Sequence, residues 1–389
     1  MISPTSCFAQ VLSLVNRHGF EKNMRKHNAE KGAKGFTCWE QFVAMLYCQM
    51  GAAHSLREIC WGLATATGRL SHLGISEAPG HSTLAYANAH RPWEAYRDVF
   101  MDLLSVCQAE AARHGRKLKF KNPLATLDST TIDLCLSMYD WAKFRRAKGA
   151  VKIHCMLDHL GHLPCWAHVT DGSVHDLKVA QELVFTPGTI VAIDRGYIDF
   201  EMFWRWTCGG VWFVTRARNP MDYVVVKRRK VPEGRNILRD EEIRMGGFYS
   251  IKKYPGVMRR VVMWDEEGKR ELVFLTNNMG FGATTIAGIY KERWQIELFF
   301  KALKQNLHVK TFVGTSENAV KVQIWTALIS ILLLKFLHLK SAFGWSLSNL
   351  VSLLRMNLFT YRDLWTWLDK PFEDAVLETG PEQLVLVGI

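Results

Sequence analysis

The chain has 389 residues, 48% hydrophobic and 22% charged, a balance that excludes disordered, collagen-like and coiled-coil proteins and leaves room for two or three folded units. Its 49 Lys and Arg exceed its 37 Asp and Glu by 12, which favours association with polyanions, nucleic acid first among them. The nine cysteines lie between Cys7 and Cys208 with no C-x-x-C pair, so neither zinc nor structural disulfides are expected and a reducing compartment fits. The first twenty residues lack a basic segment followed by a long apolar run, so no secretory signal is expected and the protein is read as cytoplasmic and nucleoid-associated.

From Ser6 to about His114 apolar residues recur at three- and four-residue spacing, as in WEQFVAMLYCQM and WEAYRDVFMDLLSVC, and this predicts an all-helical front domain over residues 1–117. Inside it, SLREICWGLATATGRL and HSTLAYANAHR flank GISEAPG; two helices and a turn suit a DNA major groove, and suit an ordinary helix pair equally well. After Pro123 the pattern changes to short β-branched runs, LATLDST, VKIHCMLD, PCWAHVT and TIVAID, with HLG and LGHLP as a hairpin turn. Helical stretches HDLKVAQELV and DFEMFWRWT are interleaved, so an α/β layer structure is expected. VWFVTRAR, DYVVVKRRK, FYSIKKY, MRRVVMWDEEG and ELVFLTN predict a mostly β stretch, with its insertion set at 216–276. From Thr284 the pattern is helical to about Asp369, with IWTALISILLL at 324–334 too short to span a bilayer and read as a core helix.

Between Arg205 and Arg260 there are 14 Lys or Arg against 5 Asp or Glu, whereas residues 1–120 hold 14 against 9. The basic charge therefore concentrates in the β stretch, notably in KRRK at 227–230 and KKYPGVMRR at 252–260, as expected of a sheet face turned to phosphates. Five histidines, His154, His159, His162, His168 and His175, lack zinc-ligand spacing and read as hairpin and turn residues.

The chemistry concentrates in IYKERWQIELFFKALKQNL, residues 289–307. On an ideal helix Tyr290, Arg293, Glu297 and Lys304 fall within about 60° of one another, while Ile296, Phe299, Phe300, Leu303 and Leu307 gather on a core-facing side. Asp128 and Asp194 close the apolar runs LATL and TIVAI, placing two acids where buried strands exit into loops, the usual ligand position of an open α/β sheet. Three carboxylates would suffice to hold two Mg²⁺ ions for in-line displacement at phosphorus. Each aspartate taken singly also reads as a turn or helix cap.

The spacing Y-x2-R-x3-E-x6-K at Tyr290, Arg293, Glu297 and Lys304, with LDST at 127–130 and AIDRGYIDFEMF at 192–203, resembles the DDE transposases of bacterial insertion sequences, in the branch that carries a β insertion. The resemblance covers about residues 120–340. It implies an α/β, ribonuclease H-like mixed sheet flanked by helices, with core segments 118–215 and 277–345, the insertion at 216–276, a helical N-terminal DNA-binding domain and a C-terminal helical region at 346–389. Carried over residue by residue, Asp128, Asp194 and Glu297 are the expected metal-binding and catalytic triad, and Tyr290, Arg293 and Lys304 are the expected phosphate contacts. Trp294 borders that stripe as a base-stacking candidate, and Trp264 is the candidate for the tryptophan that holds a flipped base. Lys148 in WAKFRRAKG is an end-binding candidate, or part of a solvated loop. Two Mg²⁺ ions are implied, with Mn²⁺ able to substitute, and so are double-stranded DNA, both terminal repeats and target, and a homodimer on DNA ends. The activity implied is cut-and-paste transposition by nicking, hairpin formation and strand transfer. A metal-dependent nuclease of the same fold and a catalytically inactive DNA-binding repressor stand as alternatives.

Overall fold

In the computed structural model, residues 5–66, 68–113, 120–135, 137–139, 141–145, 148–218, 220–307 and 312–373 are described. They form two compact units, Val106–Ala302 and the combination of Met1–Ser105 with Leu303–Ile389.

The first unit is built on one ten-stranded sheet. Its strands are β1 (Leu124–Leu134), β2 (Lys143–Arg145), β3 (Lys148–Asp158), β4 (Leu163–Asp171), β5 (Ile190–Ile193) and β6 (Trp212–Arg216), followed by β7 (Tyr223–Arg228), β8 (Ile237–Met245), β9 (Met258–Asp265) and β10 (Arg270–Thr276). The order is β2-β3-β1-β5-β6-β10-β9-β8-β7, with β4 also paired to β3. β1, β5 and β6 run parallel while β3 is antiparallel to β1, the ribonuclease H-like mixed arrangement that the resemblance implied.

The central strand β5 is short and wholly apolar because both its faces are covered. In β5 every residue is buried: Val191 and Ile193 join the core under helix Phe200–Cys208, whereas Ile190 and Ala192 join the core under helix Ala283–Glu292. That two-sided burial fixes the register, since a slip of one residue would exchange the faces.

Two elements of the basic stretch differ from expectation. FYSIKKY, read as a strand, contains the helix Phe248–Lys253, which follows Gly247 and buries none of its own residues; with no buried face, an alternating run has nothing to hold it in a sheet. ILRDEEIRM, not read as a strand, is β8, and its inward positions include Asp240 and Glu241. These acids pair with Arg259 at 2.7 Å and Arg260 at 2.9 Å on β9. Charges neutralise each other where apolar residues would normally mark the buried face, so the strand is disguised as a polar segment. Arg259 and Arg260 therefore belong to the interior and not to a phosphate-facing surface, whereas Lys227, Arg228, Arg244, Lys252 and Lys253 are exposed. The strands of the expected insertion do not form a sheet of their own: β10 pairs with β6 and continues the central sheet.

The second unit is helical. Its central helix Glu317–Lys340 packs on helices Cys38–Met50, His81–His90 and Leu347–Met356. This helix is long and apolar enough to cross a membrane, yet 78% of its most apolar window is buried, as a core helix requires. The helix Glu317–Lys340, within the expected core segment 277–345, and the expected C-terminal region from 346 both fall in this unit.

Candidate active site

β1 and β5 pair in parallel with Leu127 opposite Ile193. Asp128 and Asp194 are the next residues: Asp194 lies just past the end of β5, as expected, whereas β1 continues to Leu134, so Asp128 lies within its strand and not at an exit into a loop; both carboxyl groups still leave the sheet at one level on neighbouring strands, which lie about 4.8 Å apart. Each also serves its own backbone: Asp128 Oδ1 accepts from Ser129 N at 2.8 Å, and Asp194 caps the turn Arg195–Tyr197 by accepting from Gly196 N at 3.4 Å. The capping role and a site role thus coexist.

Helix Ala283–Glu292 carries Tyr290, and helix Trp294–Asn306 carries Glu297 and Lys304. Arg293 stands at the junction, where Arg293 N donates to Tyr290 O at 3.1 Å and Ile296 N donates to Arg293 O at 3.2 Å. These three-residue bonds tighten the ladder, so the single unbroken helix expected over 289–307 is instead two segments. Across the junction the polar side chains still converge. The Tyr290 hydroxyl donates to Asp194 Oδ1 at 3.3 Å. Arg293 Nη2 donates to Glu297 Oε1 at 2.5 Å, and Nη1 lies 3.6 Å from Asp128 Oδ2. One guanidinium thus links two acids 169 positions apart in the chain, and a tyrosine on the preceding turn holds the third.

Burial raises the Asp128 pKa from 3.8 to about 6; the Ser129 amide and Arg293 oppose the rise, and the charges of Asp194 and Glu297 add to it. The negative charges of Asp194 and Glu297 are thus felt at Asp128. Burial also pushes the Tyr290 phenol up, against the pull of Arg293, so its hydroxyl keeps its proton and donates. Three hard oxygen donors with mutual repulsion suit a divalent cation chemically, while in this structure their oxygens do not all lie within 4.8 Å of one another.

Around Asp128 lies a further polar network. Ser129 Oγ donates to Asp176 Oδ1 at 2.7 Å, and Lys152 Nζ meets the same oxygen at 3.1 Å while donating to Val174 O at 2.7 Å. This network fixes the strand beside the acid. Its signal in the sequence was the serine directly after Asp128, but its partners lie 23 and 47 positions away.

Trp264, on β9, and the exposed Trp294 line one cavity of about 910 Å³ together with Tyr290, Arg293 and Glu292. Lys304 is half-buried, seven residues beyond Glu297 on the same helix. Lys148 opens β3 opposite Arg145, and its side chain lies outside the described residues.

Across the end of β3, His159 Nε2 shares a 2.5 Å hydrogen bond with Thr126 Oγ1. Burial first, and His162 second, push the His159 pKa down to about 3, so the ring is neutral.

A mixed α/β sheet that brings acids of two adjacent strands to one level beneath exposed basic side chains fits an enzyme acting on a polyanion such as DNA. The particular family follows from comparison: the transposase DDE domain matches residues 119–333, and the chain belongs to that family of insertion-sequence transposases. A second family model, a domain of unknown function, matches residues 3–76. The chain is 29% identical over 312 residues to a putative transposase, y4zB, of Sinorhizobium fredii, covering 79% of this chain and 85% of that protein. It is also 29% identical over 262 residues to a probable transposase for insertion sequence element IS5377 of Geobacillus stearothermophilus, covering 66% and 67%. A solved piggyBac transposase synaptic complex with hairpin DNA aligns over 95% of this chain and 80% of that one, at 11% identity and a TM-score of 0.41, too distant to bear on the site. Membership implies dependence on a divalent metal.

Proposed function

We propose that the protein moves its insertion sequence by cut-and-paste transposition, with Asp128, Asp194 and Glu297 holding two Mg²⁺ ions. When bound, the ions supply activation of the attacking oxygen and stabilisation of the leaving one. The chain's own residues do the remainder. Tyr290, Arg293 and Lys304 bind phosphates beside the cleaved end, and Arg293 neutralises charge that develops on the transferring phosphoryl group. Water and then the freed 3′-hydroxyl act as successive nucleophiles at the same acids, giving a nick, a hairpin, its reopening and strand transfer. Trp294 stacks on a base beside the cut and Trp264 receives the base that the hairpin forces out, since unpaired bases stack well on aromatic faces. Lys148 contacts the same end, and two copies of the chain pair two ends.

The observation that carries this reading is the reach of Arg293 to both Asp128 and Glu297, at 3.6 and 2.5 Å, beside a Tyr290 that reaches Asp194. The test is incubation of the protein and Mg²⁺ with labelled terminal-repeat DNA and a target plasmid, resolved on denaturing gels. Hairpin-ended element and joined product are expected. Cut ends without joining would leave a nuclease, and binding without cutting would leave a repressor.

A further inference from the structure

The turn between β3 and β4 brings His159 and His162 to the C-terminal end of helix Ala283–Glu292, although Glu292 lies 130 positions from His162 in the chain. One ligand atom from each of the three residues lies within 4.8 Å of the other two. The His159 side chain is 2% exposed, and its Nδ1 atom is buried with no hydrogen-bond partner. That atom lies 3.6 Å from Glu292 Oε2, too far for a hydrogen bond. A buried ring nitrogen left in this way loses hydration without a partner. In the tautomer whose Nε2 donates to Thr126 Oγ1, Nδ1 is left with a lone pair 3.6 Å from the Glu292 carboxylate oxygen, and Thr126 fixes the ring as second-sphere partners fix metal-binding histidines.

We propose that His159, His162 and Glu292 form a binding site for a borderline transition-metal ion such as Zn²⁺, separate from the three-carboxylate site. Two imidazoles and a carboxylate select Zn²⁺ over Mg²⁺, which prefers oxygen alone. Tetrahedral Zn²⁺ with bonds of about 2.0–2.1 Å sets its ligands about 3.3 Å apart. The His159–Glu292 pair is near that separation at 3.6 Å, and the half-buried Glu292 side chain has rotamers with which to close the rest. Three protein ligands leave a fourth position for water. The ion would clamp the β3–β4 turn, and through Thr126 strand β1, to the residue directly before Arg293.

The site is independent of the catalytic reading, and its test is arranged to keep the two apart. The full chain carrying Asp128→Ala, Asp194→Ala and Glu297→Ala is dialysed against Zn²⁺ and its metal content measured, beside the same chain with His162→Gln or Glu292→Gln added. About one Zn²⁺ per chain is expected in the first and a loss of that ion in each of the others. Zinc content near zero in the first, or unchanged by both added substitutions, overturns the proposal. Should the triple variant not fold, native protein and the single variants Glu292→Gln and His162→Gln are compared with excess Mg²⁺ present to fill the carboxylate site. The same one-ion difference is expected there, and equal zinc content overturns the proposal.

Discussion

Asp128→Asn should stabilise the metal-free protein while abolishing its chemistry. Ionised Asp128 is disfavoured by burial and by Asp194 and Glu297, which together carry its pKa from 3.8 to about 6; that displacement corresponds to about 3 kcal/mol between the two protonation states. Asparagine has the same shape and still accepts from Ser129 N, which lies 2.8 Å from the Oδ1 atom, but it removes a charge that Arg293 partly offsets from 3.6 Å away. A net gain of about 1–2 kcal/mol at neutral pH is therefore expected. Its pH dependence has a definite sign: a carboxyl with a raised pKa favours the folded state at low pH and loses that contribution as pH climbs through the folded pKa. The advantage of Asp128→Asn should accordingly be full above about pH 6 and vanish toward pH 4. Urea denaturation in EDTA at pH 4, 6 and 8 measures it. Magnesium added at pH 8 should narrow the gap by stabilising only the native protein. A variant less stable than native in EDTA at pH 8, or an advantage that grows on acidification, would refute the claim that this acid is held against its preference.

Three further outcomes follow from other contacts. Arg259→Met breaks the two-pronged pair with Asp240, whose bonds are 2.8 and 2.7 Å, and leaves a buried carboxylate uncompensated, so a loss of about 3–5 kcal/mol in urea unfolding is expected; joining it to Asp240→Leu should recover most of that loss, and a single-variant loss under 1 kcal/mol would contradict the buried-pair account. Arg293→Gln removes the cation between Asp128 and Glu297, so metal-free stability should fall while calorimetric affinity for divalent ions rises, with cleavage of terminal-repeat DNA reduced at least about 10²-fold; weaker metal binding would go against it. Trp264→Ala should spare the first nick and lower hairpin yield about 10- to 100-fold, the equivalent of stacking worth about 1–3 kcal/mol, and an unchanged hairpin band on a denaturing gel would remove Trp264 from that role.

The parts of this fold that announced themselves in the sequence are those where burial is apolar. β1, β3, β5 and β6 were legible because their covered faces are lined by Val, Ile, Leu and Phe, and helix Phe200–Cys208 because its apolar period is strong. β8 was hidden because Asp240 and Glu241 occupy buried places and only the pairing with β9 reveals what neutralises them. FYSIKKY misled for the converse reason: an aromatic, alternating run with no core to face closes into a helical turn. At the site, the acids after the apolar runs and the helix stripe could be seen locally, whereas the continuation of β1 past Asp128, the contacts of Lys152 and Asp176 and the approach of His159 to Glu292 depend on register between distant segments, which no local spacing records.

The interruption at Arg293 accounts for how one stretch of helix serves two strands. On a continuous helix Tyr290, Arg293 and Glu297 share a narrow stripe and would crowd one point of the sheet edge, yet the acids they meet leave β1 and β5, about 4.8 Å apart. Tightening at the junction turns the stripe, so Tyr290 addresses Asp194 while Arg293 addresses Asp128 and Glu297. Both segments retain a buried face: Ile286 and Ile289 before the break, Ile296, Phe299 and Phe300 after it. The geometry also leaves the guanidinium incompletely used, since Arg293 Nε is buried without a hydrogen-bond partner. An arginine that neutralises two acids and still holds a spare donor is set to exchange partners. Once divalent ions take over the carboxylates, nothing electrostatic ties it to them, and a phosphate oxygen offers the bidentate partner its planar fork prefers.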